Sequence, residues 1–225
     1  MVAFVAGGVY LAFGQNQKQH SALARIAASR GWQMTDPPGF RVPSLAHPGS
    51  YSQPQKGAVA QGQIGPFAAW FYFNDARYKN SDITTAMVIS LQLPRPLPVM
   101  VLDGVANNMI ISNLINRPEA RGLLQLQLEG NFQNYFRLFI EPNQQIDVLQ
   151  LITPEIMAKM IDLGILFDLD FDGQYVHIIN TAKPDFNSPY TGKMLEFADM
   201  LAASLGHKLF SYNASQQPGQ LNEKF

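Results

Sequence analysis

The chain reads as an α+β protein: mainly antiparallel strands in a meander sheet, with helices packed on one face. Three observations predict this. Short apolar runs follow one another across tight turns, as in Ala58–Ile64, Gly65-Pro66 and Phe67–Phe73. These runs read as meanders, which argues for antiparallel pairing. Strands and helices do not alternate with the regularity that a doubly wound parallel sheet requires.

Composition supports a packed core. Hydrophobic residues make up 47% of the 225 residues and aromatics 11%, which excludes a wholly disordered chain. Charged residues make up only 15%, against roughly 25% in an ordinary soluble domain. Much of the polar surface is therefore Gln, Asn, Ser and Thr, which repel neighbours weakly and favour association. The net charge of -1 gives no field to attract nucleic acid. The absence of Cys excludes disulfides, thiolate metal sites and Cys nucleophiles.

Three regions are expected: an apolar N-terminal segment at 1–16, one α+β domain (or two similar halves) at 17–210, and a flexible polar tail at 211–225. Val2 to Phe13 carries no charge. As a helix it would cover roughly 18 Å, against about 30 Å of bilayer hydrocarbon. No Lys or Arg precedes it, unlike a signal peptide. We read it as a membrane anchor, in part or whole, with a helix of a soluble protein as the alternative. Lys18, Arg25 and Arg30 all follow it, which turns the main domain toward the cytoplasm by the positive-inside tendency. The alternative location is soluble and cytoplasmic.

Ser21 to Arg30 predicts a helix capped by Ser21 and ended by Gly31. Trp32 to Thr35 reads as extended. Asp36 to Gln55, with five prolines, reads as a surface loop. Ala58–Ile64, Phe67–Phe73 and Thr85–Leu93 predict a three-strand meander, and Leu97–Leu102 a fourth strand. Val105–Ile115 is a helix or an irregular excursion. Leu124, Leu126 and Leu128 alternate with Gln125 and Gln127, the clearest strand pattern in the chain. Tyr135–Ile140 reads as extended. Thr153-Pro154-Glu155 opens a helix that Gly164 ends. Leu166–Asp170 and Tyr175–Asn180 predict a hairpin. Pro189 opens a last helix, with Gly206 as its stop.

Few residues suggest chemistry. Asp168, Asp170, Asp172 and Gly173 match the opening of an EF-hand calcium loop. Ile179 stands where the bidentate Glu belongs, and the flanks read as strands. A hairpin turning at Asp172-Gly173 is the simpler reading, with weak Ca²⁺ binding by the three aspartates as the alternative. A second candidate is the polar loop Asn74–Asp82, where Asp75, Arg77, Tyr78 and Lys79 could contact a ligand. His20, His47, His177 and His207 show no metal-ligand spacing, and His177 reads as a surface or half-buried strand residue. GxSxG, GxxxxGK[ST] and GxGxxG are absent. Thr191-Gly192-Lys193 reads as a first helical turn. Asp103, Glu129, Glu141 and Asp147 are acids that only folding could bring together. No cofactor is implied.

The stretches ALARIAASRGWQMT (Ala22–Thr35), the aromatic strand at Trp70 with VISLQLP (Val88–Pro94), and LITPEIMAKMIDLG (Leu151–Gly164) leading to FDLDFDG are structural signatures. Through them the chain resembles a group of uncharacterised bacterial proteins that place an α+β domain after one N-terminal membrane helix. The likeness implies that architecture and carries no activity. The expectation is a non-enzymatic, membrane-associated domain binding another protein or a small ligand. A hydrolase whose carboxylates converge only in the fold is the runner-up, and a weak divalent-cation module the third reading.

Overall fold

A computed structural model describes residues 3–36, 42–43, 51–52, 58–77, 83–105, 122–128, 130–164, 167–181 and 185–215. Side chains are described for these except at 3–16, 42–43, 51–52, 75–77, 83–85 and 210–215.

Nine strands form one antiparallel sheet in the order β1-β4-β5-β6-β11-β10-β7-β9-β8. They are β1 (Gln33–Thr35), β4 (Val59–Ile64), β5 (Phe67–Arg77), β6 (Ile83–Gln92), β7 (Met100–Gly104), β8 (Leu124–Leu126), β9 (Phe136–Ile140), β10 (Asp168–Phe171) and β11 (Tyr175–Asn180). A separate two-strand ladder pairs β2 (Val42–Pro43) with β3 (Tyr51–Ser52), inside the expected proline loop. The predicted meander is present as β4-β5-β6. The β10–β11 hairpin then inserts between β6 and β7, so two strands adjacent in sequence are parted in space.

The register explains the layering. One row of cross-strand neighbours runs Met34, Ala60, Phe71, Ile89, Ile178, Leu169, Leu102, Leu138, Leu126 through all nine strands. Every member is apolar. Alternation of side chains along each strand sends this row to a single face. Helices cover that face. They are α1 (Ala3–Arg30), α2 (Gln145–Leu151), α3 (Pro154–Asp162) and α4 (Pro189–Ser215). Ala22, Leu23 and Ala27 of α1, Ile156 and Met160 of α3, and Phe197, Leu201 and Leu205 of α4 join the row in one core.

Both long helices differ from expectation. α1 begins at Ala3, not Ser21, so the apolar run and the core-packing turns are one continuous helix. Ser21 is an exposed mid-helix residue rather than a cap. α4 passes through Gly206 and continues to Ser215, beyond the point where the polar tail was expected to begin. Gly206 serves a close approach instead: a Cβ there would stand 3.1 Å from Pro66 Cγ in the β4–β5 turn. Helix α2 was not expected at all. The helix after Thr153 is present, but the Thr153 side chain does not cap its amides. It bonds the Glu155 carboxylate, and this bond holds that carboxyl below its ordinary pKa.

Trp32 fixes the start of the sheet to α1. Its indole lies on Gly62, where an added Cβ would sit 2.1 Å from the ring. Its Nε1 donates to the Gln63 carbonyl at 3.2 Å, and the Arg30 guanidinium stacks over the ring. Arg30 also pairs with Asp199 of α4.

Candidate functional site

The row of neighbours on the opposite face of the sheet has a different character. It runs Gln61, Trp70, Ser90, His177, Asp170, Val101, Phe139, Gln125 from β4 to β8. Its centre places a hydroxyl, an imidazole and a carboxylate on three adjacent strands. Ser90, His177 and Asp170 are fully buried.

Hydrogen bonds extend this centre into a chain. Tyr72 Oη lies 2.9 Å from Ser90 Oγ, and Ser90 Oγ lies 2.8 Å from His177 Nδ1. His177 Nε2 faces Asp172 Oδ2 at 3.5 Å. The backbone N–H groups of Tyr175 and Gln174 donate to Asp172 Oδ1 at 2.7 and 3.0 Å, closing the hairpin as an Asx turn. The Tyr175 ring stacks on His177 and meets Trp70 edge-on.

Electrostatics give the chain a direction. Burial pushes the Asp172 carboxyl upward, but His177 and the two backbone donors outweigh it and hold the pKa below its ordinary value. The carboxylate is then an acceptor only, which turns the Nε2 proton of His177 toward it. Where Nδ1 carries no proton it accepts from Ser90, and Ser90 in turn accepts from Tyr72. Burial holds the Tyr72 phenol far above its usual range; the Ser90 bond lowers it and the Asp172 charge raises it further. Tyr72 stays a neutral donor. The order acid, imidazole, hydroxyl is that of an activated nucleophile, yet Ser90 and His177 are each 0% exposed. In this conformation the chain fastens β5, β6 and the β10–β11 hairpin together.

The accessible feature is a groove of about 750 Å³ on the helical side. Its walls are the Arg95–Val99 segment, α2 and the late turns of α4. Leu97, Pro98, Leu151 and Leu209 give it an apolar floor, while Glu141, Asp147 and Arg95 bring charge and His207 an imidazole. Lys208 Nζ donates to the carbonyls of Gln150 and Leu151 at 2.7 and 3.0 Å, satisfying the C-terminal end of α2. Desolvation lowers the Lys208 pKa, partly offset by Glu155. Outside the groove α2 presents Ile146 and Leu149 to solvent, 74% and 44% exposed.

No known protein family matches the chain, and no curated protein does. Among solved structures it is similar to the crystal structure of the mycobacterial trehalose monomycolate transport factor A, TtfA. The TM-score is 0.51 at 13% identity, with 85% of this chain and 94% of that chain covered. Identity at this level supports the shared α+β fold and nothing finer.

The residues singled out from sequence meet different fates. Asp75 and Arg77 belong to strand β5, paired with Thr85 and Ile83, not to a loop. The strands simply extend past Asn74, which is itself buried. Tyr78 and Lys79, like His47, Glu129 and residues 106–115 of the predicted excursion, lie outside the described residues. Asp168, Asp170 and Asp172 do sit on the hairpin, but its two-residue turn is Gly173-Gln174, since Asp172 N–H donates to the Tyr175 carbonyl. Asp168 accepts from the Gly104 amide at 2.9 Å. Among the described residues no group of three acid or imidazole side chains is placed to hold a metal ion. His177 is buried and bonded rather than a surface residue. Glu141 and Asp147 do converge, at the groove. Helix α2 and Ser90 were missed. Ser90 had a signal: a lone Ser among Val88, Ile89 and Leu91, opposite a strand that carries a lone His.

Proposed function

We propose that the chain is a non-enzymatic, membrane-associated domain that binds another protein or a small ligand through the groove beside α2. The groove itself carries this reading. It is a large opening with an apolar floor and a charged rim, beside which Ile146 and Leu149 stand exposed, as binding sites do. The buried acid–imidazole–hydroxyl chain, by contrast, is spent on holding strands together. The apolar run Val2–Phe13, which carries no charged residue, supports the membrane half of the proposal. Among the described residues no helix is long and apolar enough to cross a membrane. We place the run in the membrane, with the rest of the domain on the cytoplasmic side. The likeness to bacterial proteins with a membrane helix ahead of the α+β domain fits, as does a structural neighbour described as a transport factor.

Cell fractionation tests it. Full-length protein should sediment with membranes, and replacing Val5, Val9, Leu11 and Phe13 by Gln should release it. A supernatant location for the unmodified chain would overturn the membrane half.

A hydrolase is the second reading, favoured by the order Asp172, His177, Ser90. It requires the covered face of the sheet to open. Turnover of an ester reporter that is lost in Ser90→Ala, with the fold intact, would establish it. Divalent-ion binding at Asp168, Asp170 and Asp172 is tested by calorimetric titration with Ca²⁺, where heat abolished by Asp170→Asn would support it.

A further inference from the structure

Resting on the membrane reading, we propose that a basic notch on α1, lined by Lys18, His20, Ser21 and Arg25, docks the anionic headgroups of the bilayer into which Val2–Phe13 inserts. The notch has a volume of about 800 Å³ and is closed at one side by Asn187, just before α4. Arg25 Nη2 donates to Asn187 Oδ1 at 2.9 Å, which holds the guanidinium against the wall with its other donors outward. Lys18, His20, Ser21 and Arg25 are all exposed.

Charge favours an anionic partner. The first 35 residues contain Lys18, Arg25 and Arg30 and no acid. Arg30 is paired with Asp199, so the charge presented by the notch is that of Lys18 and Arg25. The nearest acid behind the wall, Asp185, is already engaged: its Oδ1 accepts from Gln19 Nε2 and from the Asn187 amide, each at 2.9 Å. Those bonds hold its carboxyl below the ordinary pKa.

Geometry places the notch at the lipid surface. Lys18 follows the apolar run by five residues of the same helix, about 7.5 Å along the axis at 1.5 Å per residue. The headgroup layer outside the hydrocarbon is roughly 5–7 Å deep on each side. Arg25 lies about 18 Å beyond Phe13 along the same axis, so the proposal requires α1 to lie inclined to the surface, with one flank toward the lipid. Lys18 and Arg25, seven residues apart, lie within about 20° of each other on that flank. The opposite stripe, Leu23 and Ala27, is committed to the protein core.

The experiment is vesicle co-sedimentation of the full chain with phosphatidylcholine alone and with phosphatidylcholine containing phosphatidylglycerol, comparing the parent with K18Q/R25Q. Both positions are exposed, and circular dichroism confirms the fold. The expected result is stronger binding of the parent to the anionic vesicles. The double variant should lose about tenfold in that partition, equal to about 1.4 kcal/mol, and keep its binding to neutral vesicles. Added salt should erase the difference between parent and variant. Equal binding of parent and variant to both vesicles would overturn the headgroup site and leave the membrane reading standing. No binding of the parent to either vesicle would overturn the membrane reading, and the notch with it.

Discussion

Replacing Ser90 by Ala should cost far more than one hydrogen bond. The Ser90 hydroxyl stands between Tyr72 Oη at 2.9 Å and His177 Nδ1 at 2.8 Å, and all three residues are essentially inaccessible to water. A typical hydrogen bond contributes about 1 kcal/mol net, but each buried polar group left unsatisfied costs about 1–3 kcal/mol. Ser90→Ala takes a bond from each of two such groups, so the loss should be up to about 2–6 kcal/mol. Tyr72→Phe strands none, because Ser90 keeps His177 as its partner, and should cost about 1 kcal/mol. The second step is the sharper expectation. In the Ser90→Ala background the Tyr72–Ser90 bond is already gone, so Tyr72→Phe should cost less there than in the parent. Urea unfolding of the four proteins gives the double-mutant cycle. Losses that add to within about 0.5 kcal/mol would show the two residues to be uncoupled and would refute the chain.

Other expectations follow from the same structure. Because the folded pKa of Asp172 lies below its ordinary 3.8, the unfolded state binds the proton more readily. Its contribution to stability is complete above that ordinary value and is lost as pH falls through the folded one. Asp172→Asn should flatten the acid limb of a stability–pH profile; an unchanged limb would remove the group's role. Gly62→Ala drives a methyl into the Trp32 ring and should destabilise by about 1–3 kcal/mol, with a shift in tryptophan fluorescence. A change within about 0.5 kcal/mol would mean that the indole does not lie there. The double change I146D/L149D alters exposed side chains, so stability should move by no more than about 0.5 kcal/mol while binding to a groove partner is lost.

The fold was legible where one physical signal dominated. The β4–β5–β6 meander followed from Gly65-Pro66 and from alternation in Met87, Ile89 and Leu91, which needs only one buried face. The hairpin at Asp172 and Gly173 was legible for the same local reason. Strand order was not, because nothing local to β10 or β11 says that the pair inserts between β6 and β7. Helix ends failed where glycine had another use: Gly206 makes room for Pro66 and does not stop α4. Helix α2 escaped because its apolar residues split, with Val148 and Leu151 inward and Ile146 and Leu149 outward, which blurs the periodic stripe. Of the sites, the Asp168–Asp172 segment reads as one arm of a hairpin, and it is one. Its partners, Ser90 and Tyr72, are 82 and 100 residues distant from Asp172 in sequence, and only the register brings them together. The groove combines three separated segments and has no sequence signature.

The most direct test of the binding role is a photo-cross-linker placed at Ile146 in intact cells, with one at Gln61 on the far face of the sheet as control. A discrete adduct from Ile146, found in the membrane fraction, absent from Gln61 and lost with Leu149→Asp, is the predicted result. No adduct from Ile146, or the same adducts from both positions, would contradict it.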